Sequence, residues 1–523
     1  MANQYHPIIY VRGYAMTQGE INDTTADPFC GFNLGSTVFR ATPDKTKPAK
    51  KFIFESPVIR LHADFDYADV FENGFDIMDA DWAGKDGSKT IPPRSIIIYH
   101  YYEQASTLLG RGKTPAIEDF AKGLNDLILR VKELVSVGGE GEYQDREEFR
   151  CHLVAHSMGG LVCRAFLQNP ALGQPEARQC VDKFFTYATP HNGIDMAGMN
   201  VPSWLNLNDI SNFNHQRMAE YLDLAGIYQL TKRVDWMPEA IFPPEKIFCL
   251  IGTNRADYEV AMGASRTFAG HGSDGLVRIE NASVWGINGS GQSTGPCATA
   301  YVYRSHSGYF GIVNSEEAYQ NLVRFLFGDL RVDLWCDITD IRLPAELQNK
   351  TDVNALYQFE VLASPRGKRW YLTRRTAEED SVACRTHMEL TDPTKPHLRS
   401  VYLSTVFLAS KWRVNQARPS LAYSLTLGIK VPDYEVEKKL WFNEHYEGGY
   451  LFRDEIIIEI TPPDAKADWQ VMSRWQSSGE PLGEVHLRKG NLDRLCLTIP
   501  FGSDKQPGLK GALRFVVTPK ASS

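Results

Sequence analysis

The sequence predicts an α/β domain over residues 1–330, built on a doubly wound, mostly parallel sheet, followed by an all-β sandwich over residues 331–523. Three observations carry this expectation. Short, uniformly apolar runs alternate with amphipathic stretches through the first part of the chain. After Gly328-Asp329 the texture changes to alternating and β-branched runs, separated by turn clusters such as Ser364-Pro365-Arg366-Gly367. The chain has 523 residues, 43% of them apolar and 23% charged, which is material for roughly two to four globular cores.

The first strand is Pro7-Ile8-Ile9-Tyr10-Val11, ending at Arg12-Gly13. The second is Ser95-Ile96-Ile97-Ile98-Tyr99, after Pro92-Pro93. Phe149 to Val154, Lys183 to Tyr187, Lys246 to Ile251 and Ala298 to Tyr303 complete the set. Runs this short and this apolar suit strands covered on both faces. Thr114 and Pro115 offer an N-cap and a first helical residue. Ile117, Phe120, Leu124, Leu127, Ile128, Val131, Leu134 and Val135 then recur at helical spacing. Further helices are expected from about Met158 to Gln168 and over Glu316 to Phe327, and the alternation of strand and helix implies parallel pairing.

Two stretches leave this alternation. Residues 18–83, rich in Gly, Asp and Phe, are too long for a simple loop and read as an inserted excursion. Residues 196–244 are apolar and helix-compatible, from Met196 through Trp204 and Tyr221 to Met237. They are expected to form a helical insertion, with two arrangements open: a cap or lid over a site, or helices packed on the sheet. Beyond residue 330, strands are expected at 332–341, 356–362, 401–409, 421–431, 455–461, 495–499 and 513–517.

A net charge of -8 gives no electrostatic footprint for nucleic acid, and no run approaches the roughly 18 apolar residues of a membrane-crossing helix. The polar start, Met1 to His6, lacks a basic segment followed by a long apolar one. The chain is therefore expected in the cytoplasm, with leaderless export as the alternative. Nine cysteines without a CxxC pair read as buried reduced thiols rather than a zinc ribbon. No cofactor and no metal are expected.

The local signal for chemistry is His152-Leu153-Val154-Ala155-His156-Ser157-Met158-Gly159-Gly160. An apolar strand, a sharp turn and an apolar helix place a serine at the apex, with small residues two before and two after it where strand and helix must pack closely. Serine is a poor nucleophile unless a histidine takes its proton. His306, in Tyr303-Arg304-Ser305-His306-Ser307-Gly308, follows the last strand and is the candidate base. His152 and His156 are sequence neighbours of Ser157 but cannot be brought onto it, and His191, after a strand in Thr189-Pro190-His191-Asn192-Gly193, is a candidate pocket residue. A carboxylate must orient the imidazole. Asp274, in Gly272-Ser273-Asp274-Gly275-Leu276-Val277, lies between the last two strands, and Asp257 is its rival. For an oxyanion, Met158 offers the backbone N–H after the nucleophile, and Tyr14, after Arg12-Gly13, offers a second.

Over about residues 7–330 these motifs resemble the lipase branch of the α/β-hydrolase superfamily. Ala155-His156-Ser157-Met158-Gly159 resembles the alanine-type elbow of Bacillus lipases. Ser273-Asp274-Gly275-Leu276-Val277 is similar to the acid-bearing loop of Pseudomonas and Burkholderia lipases, and Thr189 to Gly193 to a segment of PGAP1-like esterases. The resemblance implies a Ser157, Asp274, His306 triad, favours Asp274 over Asp257, and implies hydrolysis of carboxylic esters of lipid-like substrates. Arg12-Gly13 stands where those families usually carry His-Gly, and the C-terminal part has no counterpart there. The expected partner is a lipid or other ester, with transient contact to a lipid surface through the cap. A phospholipase and a catalytically silent binding protein on the same scaffold are the alternative functions.

Overall fold

The structure, a computed structural model, describes residues 5–13, 36–40, 50–54, 57–70, 77–84, 86–99, 116–196, 199–200, 210–255, 272–306, 311–348, 350, 353–436, 444–463, 468–489 and 494–519. The chain divides into two compact units: Met1–Thr299 with Arg304–Leu322, and Ala300–Tyr303 with Val323–Ser522.

The central sheet contains β1 (Ile8–Val11), β2 (Ala68–Asp69), β3 (Ser95–Ile98), β4 (Cys151–His156), β5 (Val181–Tyr187), β6 (Ile247–Gly252) and β7 (Ala298–Val302), in the order β7-β6-β5-β4-β1-β3-β2. Pairing is parallel from β2 through β3, β1, β4 and β5 to β6. Every residue of β1, β3, β4 and β6 is buried, which is why these runs carry no polar alternation.

The helices of this part are α1 (Pro57–Phe65), α2 (Ile117–Leu134), α3 (Met158–Gln168), α4 (His215–Tyr221), α5 (Ala225–Thr231) and α6 (Glu316–Phe327). Helix α2 buries Ile117, Phe120, Leu124, Leu127, Ile128, Val131 and Leu134, the stripe expected from their spacing. Its N-cap is Ala116, whose N–H donates to the Asp119 carboxylate at 3.3 Å, while Thr114 and Pro115 lie outside the described residues. Helix α3 is buried at every position.

The excursion expected over residues 18–83 is not wholly outside the alternation. Its described part supplies α1 and then β2, which adds a parallel edge strand beside β3. It also holds an antiparallel hairpin, Ser36–Arg40 with Lys50–Phe54. A two-residue strand such as Ala68-Asp69 has no apolar run by which a sequence could announce it.

The described part of the 196–244 insertion is helical in its middle, with short strands at Met199–Asn200 and Trp236–Pro238, and much of its apolar side is packed. Met218, Tyr221, Leu222, Leu224, Val234 and Met237 share one core with Leu161, Val162 and Phe166 of α3. Arg164, fully buried in α3, ties this segment down: its guanidinium donates to the carbonyls of Val234 and Trp236 at 2.9 and 2.8 Å and to that of His191 at 2.9 Å. Three carbonyls and the Gln168 side chain satisfy a charge that the interior would otherwise exclude. Helix α5 differs: it buries none of its residues, and Leu230 is 82% exposed. Trp204 lies outside the described residues.

The second unit is built on antiparallel sheets. One pairs Ser400–Leu408, Leu330–Arg342, Gly508–Pro519, Leu495–Gly502 and Arg488–Lys489 in that order. The other runs from Thr373–Arg375 through Val353–Pro365, Leu421–Val436, Glu444–Thr461 and Gln470–Trp475 to Gly483–Glu484. Their inner faces share one core, with Leu334 and Leu513 from the first sheet and Phe359, Leu427 and Ile456 from the second. This is a sandwich.

Among the described residues no helix is long and apolar enough to cross a membrane, and no cluster of His, Cys, Asp or Glu is arranged to hold a metal ion.

Candidate active site

The three sequence candidates sit beyond the carboxyl ends of three strands: Ser157 directly after β4, Asp274 after β6 and His306 after β7. In an open parallel sheet, this is the end at which loops converge. All three side chains are buried.

Ser157 closes β4 and opens α3 with φ 53° and ψ -129°. A non-glycine residue rarely adopts positive φ, and the surrounding structure must hold it there. Two contacts do so: the Ser157 N–H donates to the Tyr187 carbonyl at 2.9 Å, and its own carbonyl accepts from Gly160 N–H at 3.0 Å. Gly159 lets α3 pass close to β1, because a Cβ there would lie 2.1 Å from the Val11 carbonyl oxygen. Gly13 is constrained from the other side. A Cβ at Gly13 would fall 2.4 Å from Ser157 Cβ and 3.0 Å from its Oγ. The exit of β1 therefore runs alongside the serine hydroxyl.

His306 Nε2 lies 2.9 Å from Ser157 Oγ, and His306 Nδ1 lies 2.9 Å from Asp274 Oδ2. The second carboxylate oxygen, Asp274 Oδ1, accepts the N–H groups of Leu276 and Val277 at 3.0 and 2.8 Å. Those two donors fix the carboxylate and leave Oδ2 for the ring. An ionised Asp274 is acceptor-only, so Nδ1 carries the imidazole proton and Nε2 presents its lone pair to the hydroxyl. The His306 main chain is also held, its N–H donating to the Asp274 carbonyl at 3.0 Å.

Of the two expected N–H donors, Met158 is the first residue of α3. The first amides of a helix have no acceptor within it, and the positive end of the helix dipole lies there. Tyr14 and the rival acid Asp257 lie outside the described residues.

The remaining histidines take other places. His152 faces Asp182 at 3.6 Å on β5. His191 is wholly buried, with Nε2 3.2 Å from Thr186 Oγ1. Burial, reinforced by Arg164, holds its pKa well below the usual imidazole value. His156 does not reach Ser157, but it does reach the base. Its Nε2–H donates to the His306 carbonyl at 2.9 Å. Burial first, then the neighbouring His306 and Arg12, keeps its pKa well below the ordinary range, so it is neutral. Nothing in the sequence pattern announced this contact across 150 residues. Arg164 was also missed, although a lone cation in an otherwise apolar helix was a signal that it needed buried acceptors.

The parallel sheet, the strained serine elbow and the convergent loops define an α/β-hydrolase-type fold for this part of the chain. Residues 103–223, which include Ser157, match the family model described as a PGAP1-like alpha/beta domain. Among solved structures, the chain is similar to the mature form of Bacillus licheniformis lipase BlEst2, at 13% identity over 62% of this chain and 92% of that one, with a TM-score of 0.31. Its propeptide form gives 12%, 89%, 95% and 0.30 in the same order. Phospholipase PlaB from Legionella pneumophila gives 12%, 84%, 90% and 0.29. No curated protein matches the sequence significantly.

Proposed function

We propose that the chain is a serine hydrolase that cleaves carboxylic esters of lipid-like substrates. The observation that carries this reading is the unbroken line from Ser157 Oγ through the His306 ring to Asp274, with both contacts at 2.9 Å. Ser157 is the nucleophile. As its Oγ attacks the ester carbonyl, His306 Nε2 takes the hydroxyl proton, and Asp274 stabilises the imidazolium. The carbonyl oxygen becomes an oxyanion, for which the Met158 N–H at the start of α3 is the first donor and the second, expected at Tyr14, lies outside the described residues. His306 returns the proton to the departing alcohol, leaving an acyl-serine. Water, deprotonated by the same ring, then releases the acid and restores the hydroxyl. General-base help of this kind contributes about 10²–10⁴ in rate, and each oxyanion donor about 10²–10³.

A lipid-like substrate is supported by the apolar insertion, whose helix α5 leaves Leu230 exposed beside the half-buried Ile227 and Tyr228. The test is a panel of p-nitrophenyl esters, emulsified triacylglycerols and phospholipids. Ser157→Ala is expected to abolish turnover on every active substrate, and retention of activity within tenfold of wild type would overturn the reading. Preference for phospholipid acyl esters would narrow the substrate without altering the chemistry. Failure of a fluorophosphonate to label Ser157 would favour a silent binding protein.

A further inference from the structure

We infer that His156 is a positioning residue for the base, holding the backbone of His306 in register with the nucleophile one residue away. This rests on the hydrolase reading above. The argument is geometric. His156 is the last residue of β4, and Ser157 follows it directly in the turn. Its ring donates from Nε2 to the His306 carbonyl at 2.9 Å, within a buried environment, and the two ring centroids are 5.0 Å apart. The N–H of the same His306 donates to the Asp274 carbonyl at 3.0 Å.

Both main-chain polar groups of the base are thus held, one from the acid and one from the neighbour of the nucleophile. The segment that carries His306 comes from a distant part of the chain, and β4 is the fixed frame of the sheet. A donor on β4 converts the position of Ser157 directly into the position of the ring that must face it. The ring of His156 has no part in proton transfer. Its contribution is to keep Nε2 of His306 on the line to Oγ, where misplacement by about 1 Å is worth about 100-fold in rate.

Substitution by two amides of different reach separates positioning from packing. A glutamine side chain can place its amide N–H where Nε2 of the imidazole stands, whereas an asparagine, one methylene shorter, cannot. His156→Gln is expected to keep kcat within about threefold of wild type, and His156→Asn to lose about 10- to 100-fold in kcat with KM within about twofold. His156→Leu, which fills the space without a donor, is expected to behave like Asn. Thermal unfolding of each variant establishes that it is folded, and if the Leu variant is not, the Gln and Asn pair decides. Equal kcat for Gln and Asn, or a loss confined to KM, overturns the inference. Ser157→Ala is measured alongside. If that variant stays active, the hydrolase reading itself has failed; if it is dead while the Asn variant matches wild type, only the role of His156 has.

Discussion

Asp274→Asn is the sharpest single-atom test of the site. The side chain keeps its shape, so the outcome depends on which atom occupies which place. Oδ1 of Asp274 accepts two backbone N–H groups, from Leu276 at 3.0 Å and Val277 at 2.8 Å. In the variant, the amide oxygen must take that place, because turning the NH2 toward two donors would leave three buried polar groups unpaired. The NH2 then occupies the site of Oδ2, 2.9 Å from His306 Nδ1. A donor now faces Nδ1, which must become an acceptor, and the ring proton moves to Nε2. That proton points at Ser157 Oγ, so the ring cannot receive the hydroxyl proton. The expected loss in kcat is about 10⁴, equivalent to about 5.5 kcal/mol at roughly 1.4 kcal/mol per decade. The turn around Leu276 and Val277 keeps its hydrogen bonds, so the unfolding temperature should stay within about 2 °C of wild type, less than the shift expected for roughly 1 kcal/mol in a domain of this size. Steady-state turnover of a p-nitrophenyl ester, paired with thermal unfolding, reads both quantities. A folded variant retaining more than about a tenth of wild-type kcat would refute this assignment and return Asp257 to consideration.

Two further outcomes follow from packing and burial. Gly159→Ala would set a Cβ 2.1 Å from the Val11 carbonyl oxygen and 2.7 Å from that of Arg12, both backbone atoms. Overpacking of this kind costs about 1–3 kcal/mol, and thermal unfolding should fall by at least about 2 °C; an unchanged midpoint would mean that α3 does not lie so close to β1. Burial lowers His6 to about 4, outweighing the Asp182 carboxylate, which acts in the opposite direction. The folded chain then binds this proton less readily than the unfolded chain, where the ordinary value is about 6.5. The stabilisation is full above about pH 6.5 and is lost as the pH falls toward 4, on the order of 3 kcal/mol in all. Denaturant unfolding at pH 7.5 and 4.5 should show a smaller acid penalty in His6→Gln than in wild type, and equal penalties would exclude His6 as a source.

How much of this was legible in the sequence depends on how local each feature is. The strands read as apolar runs because both faces of a central parallel strand are covered, and their positions matched to within two residues or so. Helices Met158–Gln168 and Glu316–Phe327 were legible to the residue from their stripes and boundaries. Ser157 stood out because an elbow has a local steric signature. Ala68–Asp69 did not, since two residues carry no periodicity. Nor did Gln470–Trp475, whose face is only partly covered. The remote partners of His156 and Arg164 were illegible for another reason: they are backbone carbonyls, and any residue supplies one. The direction of a side chain toward a remote carbonyl is a property of the assembled fold.

The groups at the site enter the chain in a fixed order, with Ser157 long before Asp274 and Asp274 before His306. Synthesis runs from the amino terminus, so a growing polypeptide displays the Ser157 hydroxyl beside an incomplete sheet before the imidazole that faces it in the folded chain has been made. The line from Ser157 through His306 to Asp274 can therefore close only after the last strand of the sheet, Ala298–Val302, has been made.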